Sequence, residues 1–88
     1  MAHHTPGGNY VDDHAETQMQ DRHISDLQVD TAIQYGIRRL GNVVGRTEHH
    51  YTYTNRSGRR MCLMVVTVDG TSTVVTTFRH SASRHRWS

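Results

Sequence analysis

The chain has 88 residues, 34% of them hydrophobic, with a mean hydropathy of −0.72, which suffices for one small domain with a modest core. No apolar run approaches the ~20 residues of a membrane span. No apolar segment near the start marks a signal peptide, and the single cysteine, Cys62, excludes an internal disulfide. The net charge of +2 conceals an asymmetry: residues 1–33 carry six acids against Arg22, and residues 34–88 carry nine arginines against Glu48 and Asp69, so the parts stand at −5 and +7.

In chain order, residues 1–10 (MAHHTPGGNY) show no apolar period and are expected to be a flexible leader outside the fold. Helix signals follow. Asp13 is placed to cap a first helix over about 13–23, with Glu16 three positions on completing a capping box, and Ala15 and Met19 form a narrow apolar stripe. Ser25 and Gln28 repeat the box pattern. Ile24 and Val29 fit a hydrophobic staple, Val29, Ala32 and Ile33 continue the apolar face, and Gly36 is a stop signal. From there the sequence reads as strands: a weak one over 37–46, another over 47–55, a turn at 55–59, a nearly continuous apolar run over 61–68, a hairpin signal at Asp69-Gly70, and a return strand over 71–80. Residues 81–88 form a polar, basic tail. The predicted class is α+β: two N-terminal helices packed on a four-stranded, mainly antiparallel sheet, with one face covered and the other free.

The residue types that carry chemistry cluster in two places. His14, Gln18 and Arg22 lie at i, i+4 and i+8, on one face of the first helix and beside the apolar stripe. Histidine serves as a general base or acid near neutral pH, and arginine grips phosphate through a planar fork. Cleaving RNA without a metal needs little more. The plainer reading of the same spacing is a solvated helix face with Arg22 paired to Asp21 or Asp26. On the last strand, alternation puts Thr76, Phe78 and His80 on one face and Val75, Thr77 and Arg79 on the other. If Val75 is core, Phe78 is an exposed aromatic able to stack on a base; in the opposite register Phe78 is core and Arg79 faces a ligand. His49, Tyr51 and Tyr53 share one strand face, and His50, Thr52 and Thr54 the other. His49 and His50 therefore cannot chelate together, so no metal or other cofactor is expected. Cys62, inside an apolar run, reads as a buried small hydrophobe. The arginine-only basic half suits nucleic acid, although the two halves could simply attract each other.

The stretch HAETQMQDRHIS followed by DLQVDTAIQYG resembles a small bacterial domain family with the pattern H-A-x-x-R-M-x-x-R-G-I-S, then V-x-x-A-I-x-x-G, and a last strand reading apolar-apolar-Thr-x-aromatic. His14, Ala15, Met19, Arg22, Ile24 and Ser25 match the first motif, Val29, Ala32, Ile33 and Gly36 the second, and Val74, Val75, Thr76 and Phe78 the third. Gln18 stands where the family often has Arg, His23 where it often has Gly, and Phe78 lacks the hydroxyl of a Tyr. The family is similar to the RelE/ParE/BrnT toxins and to the barnase/EndoU/colicin/RelE-like ribonuclease fold. The resemblance implies a single domain over residues 11–80 and a metal-independent endoribonuclease cleaving tRNA or another structured RNA. It implies a cognate immunity protein or antitoxin, no membrane anchor, and action in the bacterial cytoplasm, with the chain carried on a larger secreted or cell-surface toxin. His14, Arg22 and Thr76 would be active-site residues, with His80, Arg79 or Tyr53 as substitutes for the missing hydroxyl. Gln18, Arg38, Arg39, Arg59, Phe78 and Arg79 would bind the RNA. The rival expectations are a non-catalytic nucleic-acid- or protein-binding module of the same fold, and a small regulatory domain with no nucleic-acid role.

Overall fold

The computed structural model describes residues 1–81. Its elements are β1 (His3–His4), β2 (Tyr10–Val11), α1 (Asp13–Arg22), α2 (Asp26–Tyr35), β3 (Ile37–Leu40), β4 (Arg46–Thr54), β5 (Arg60–Val68) and β6 (Thr73–Ser81). The strands form one sheet in the order β1-β2-β6-β5-β4-β3. The α+β class stands, but the sheet has six strands rather than four and is mixed, because β2 runs parallel to β6.

The two extra strands come from residues read as a leader. Each is two residues long, too short for any period to show. What holds them is a tertiary contact: the Asp30 carboxylate on α2 accepts from the Thr5 hydroxyl, from the Gly7 N–H at 2.8 Å and from the Asn9 amide at 2.8 Å. That fixes the turn between β1 and β2, and Val11 is then fully buried opposite Val74. The basic tail expected over 81–88 lies outside the described residues except for Ser81, which ends β6.

Helix α1 starts one residue earlier than the sequence suggests. Asp12, extended at the end of β2, is the N-cap, and its side chain accepts the Ala15 N–H at 2.8 Å. Glu16, expected to complete a box with Asp13, binds His3 instead. The helix ends on His23, the one described non-glycine residue with positive φ (54°), and the Ile24 N–H returns to the Met19 carbonyl at 2.9 Å. Helix α2 has the expected reciprocal box, Gln28 N–H to Ser25 Oγ at 3.2 Å and Ser25 N–H to Gln28 Oε1 at 2.9 Å. Gly36 stops α2 for lack of space: its backbone is extended, and a Cβ there would lie 2.4 Å from the Ala32 carbonyl oxygen.

Both helices cover one sheet face, α1 over β6 and α2 over β4 and β5. The core between them is Val11, Ala15, Met19, Ile24, Val29, Ala32, Leu63, Val65 and Val74, with Ile33, Tyr51 and Tyr53 packed at its margin. A bulge decides the phase of β6. Thr67 pairs with Val74 but Val66 with Thr76, so Val75 is the extra residue. Val74, rather than Val75, is therefore the core valine, and Thr76, Phe78 and His80 fall on the sheet face away from the helices. The weak strand expected over 37–46 is shorter; it stops at Leu40, and residues 41–45 form a turn closed by the Gly41 N–H to the Arg46 carbonyl at 2.9 Å.

Candidate functional site

Strand β2 covers only the first two residues of β6, Thr73 and Val74. From Val75 onward, β6 has no strand on that side among the described residues. An open strand edge exposes backbone donors and acceptors. Here α1 supplies their partners from the polar stripe singled out in the sequence. Gln18 Oε1 accepts the Thr77 N–H at 2.8 Å, and Arg22 Nη1 donates to the Thr77 carbonyl at 3.3 Å. One residue's two backbone groups are thus met by two side chains one turn apart, in the manner of a neighbouring strand. The Arg22 pairing to Asp21 or Asp26, open in the sequence, is not the arrangement found.

The Arg22 guanidinium also lies 5.5 Å from the centre of the Phe78 ring, and Phe78 meets His80 edge-on at 5.3 Å. Phe78 is 39% exposed. Thr76 shares its sheet face with both. His14 is exposed one turn before Gln18 on the same stripe, about 12 Å along the helix axis from Arg22. The structure therefore gathers Arg22, Phe78 and His80 at one sheet edge, with Thr76 on the same strand and His14 farther along α1.

The remaining candidates lie elsewhere. Tyr53 faces the helices, stacked on Tyr51 with centroids 6.3 Å apart, and is two strands from β6. That is about 10 Å across and on the other side of the sheet from Thr76 and His80, so Tyr53 cannot share a substrate with them. Arg79 is used structurally: its guanidinium donates to the Arg22 and His23 carbonyls, where a cation satisfies the end of α1. Arg38 and Arg39 sit on β3 at the far edge of the sheet, Arg38 exposed and on the helix side, Arg39 half-buried and on the other. Arg59 is exposed in the turn between β4 and β5, at the same sheet end as His80, since Met61 and Cys62 pair with Ser81 and His80.

Sequence reasoning weighed His49 only as a metal ligand. It is 5% exposed, its Nε2 lies 2.9 Å from Thr67 Oγ1, and its Nδ1 is buried without a partner. Burial, with help from Arg38 and His50, holds its pKa below the usual histidine value, so the ring is neutral. It lines a cavity of about 370 Å³ with Asn9, Arg38 and Asp69. Only the pairing of β3 with β4, which sets Arg38 opposite His49, makes this visible. Cys62 is fully buried, as its apolar setting suggests, and burial pushes its thiol pKa up. Among the described residues no three His, Cys, Asp or Glu side chains are grouped to hold a metal ion, and no helix is long and apolar enough to cross a membrane.

No protein-family model, curated protein or solved structure matches this chain.

Proposed function

We propose that this chain is a metal-independent endoribonuclease domain that seats structured RNA, tRNA foremost, along the edge formed by α1 and β6. The observation that carries the reading is the meeting of Arg22 and Phe78: a cation and a half-exposed ring, brought from two elements to one edge, offer a phosphate contact and a stacking surface together. His14 and His80 flank that pair with the two titratable groups the reaction needs. In the proposed step His14 takes the proton of a ribose 2′-hydroxyl and the 2′-oxygen attacks the adjacent phosphorus. The bond to the 5′-oxygen then breaks, and His80 protonates the leaving oxygen. The products are a 2′,3′-cyclic phosphate and a 5′-hydroxyl. Arg22 and Thr76 bind the phosphate, and Tyr53 has no part. With this reading go an immunity protein or antitoxin, action in the bacterial cytoplasm, and carriage on a larger toxin.

A second reading has its own observation. Gln18 and Arg22 both spend hydrogen bonds on Thr77, so the stripe has a structural task and the domain could bind RNA without cutting it. One experiment separates the two: total tRNA with the wild-type protein, His14→Ala and His80→Ala in EDTA, resolved on a denaturing gel. The enzyme reading expects discrete fragments ending in cyclic phosphate, weakened about 100-fold or more by either substitution. Intact RNA with salt-dependent binding would select the binding module. Absence of binding would overturn both.

A further inference from the structure

The two long edges of the sheet are treated differently. The β6 edge is closed by Gln18 and Arg22. At the opposite end, no described strand lies outside β3. Five large apolar residues crowd this region within ten positions, Tyr35, Ile37, Leu40, Val43 and Val44, and all are exposed; Leu40 is 91% and Val44 99% exposed. Proteins ordinarily blunt an edge with charge, brevity or cover, because a bare apolar edge pairs with other chains. This one instead adds apolar side chains around a four-residue strand, Ile37-Arg38-Arg39-Leu40.

We propose that the β3 edge is a docking site for an extended acidic segment of a partner protein, which adds to the sheet as a seventh strand. The occupant follows from charge and pattern. Ile37 and Arg39 point to one face, Arg38 and Leu40 to the other. An added strand sets its residues directly opposite these, so the complementary segment reads apolar-acidic-acidic-apolar, in either direction. A second copy of this chain does not meet that requirement. Two-fold antiparallel pairing of β3 with itself keeps the faces matched only in registers that centre on Arg38 opposite Arg38 or Arg39 opposite Arg39, and both set like charges against each other. RNA would use the arginines but leave the apolar residues in water. The site lies at the other end of the sheet from the α1–β6 edge, and its fate is independent of the ribonuclease reading.

The test uses the whole chain and two labelled peptides of about eight residues, one centred on Leu-Glu-Glu-Val and one on Leu-Lys-Lys-Val, followed by fluorescence anisotropy. The acidic peptide is expected to bind about tenfold or more tighter than the basic one. The double variant Arg38→Glu/Arg39→Glu should reverse that preference, Leu40→Asp should weaken both peptides, and bound peptide should slow amide exchange over residues 37–40. All these positions lie on the sheet rim, and a circular dichroism melt of each variant checks the fold. Equal affinity for both peptides, or no acidic-peptide binding up to its solubility limit, overturns the proposal. So does self-association through β3 in sedimentation. Protection of residues 37–40 by tRNA and not by peptide would assign the edge to nucleic acid instead.

Discussion

Gln18 and Thr77 are 59 residues apart, yet the Gln18 carbonyl oxygen accepts the Thr77 N–H at 2.8 Å and stands in for a strand that β6 lacks. Thr77 itself is fully buried, so that N–H has no water to turn to. Gln18→Leu should therefore cost about 1–3 kcal/mol, the penalty of a buried donor left unmade. Gln18→Glu, which keeps an acceptor, should cost less. The Thr77 hydroxyl is buried without a partner, and Thr77→Val should be neutral or stabilising while leaving the backbone bond intact. Urea unfolding of the three variants checks the set.

His23 holds a left-handed conformation at the end of α1, with φ 54°. A side chain there is strained by about 1 kcal/mol relative to glycine. His23→Gly should raise stability by roughly that amount in the same unfolding measurement, with no change in the far-ultraviolet circular dichroism spectrum.

Gly36 has ordinary backbone angles but no room. A Cβ would sit 2.4 Å from the Ala32 carbonyl oxygen and 3.1 Å from that of His50, where α2 hands over to β3 beside β4. Gly36→Ala should cost about 1–3 kcal/mol, as overpacking does, despite alanine's better helix propensity. A thermal melt that leaves Tm unchanged would show that the turn can give way.

His3 ties β1 to both helices, with Nε2 2.7 Å from Asp26 on α2 and Nδ1 on Glu16 of α1. Asp26, and after it Glu16, raise the His3 pKa above 6.5, while the Met1 amino group and then His3 lower that of Glu16 below 4.5. A raised histidine stabilises fully below its unfolded value and loses that contribution as pH rises through its folded one. A lowered carboxylate stabilises above its unfolded value and loses it as pH falls through its folded one. The clasp is therefore strongest between about pH 4.5 and 6.5. His49 acts in the opposite sense, because its lowered pKa costs stability as acid charges it. The difference in unfolding free energy between wild type and His3→Ala isolates the clasp. That difference should be modest, since His3 is a third exposed, and it should shrink as pH rises above neutrality.

What the sequence determined by itself is what short range decides. The Ser25–Gln28 box, with Ile24 and Val29 buried beside it, needs only residues within one turn. The β4–β5 pairing follows from a local turn at Asn55–Arg59, and His49 and His50 face opposite ways because strand side chains alternate. The tertiary structure decided what depends on residues far apart. Two strands hang on the Asp30 carboxylate twenty or so positions away. The α1 cap moved to Asp12 because Val11 was already engaged by Val74. The bulge at Val75, invisible to alternation, placed Phe78 and His80 on the face away from the helices. The polar stripe of His14, Gln18 and Arg22 was legible as one helix face. That two of its members would serve an open strand edge was not, because hydrogen-bonding partners across a fold are set by where β6 comes to rest and leave no local period to read.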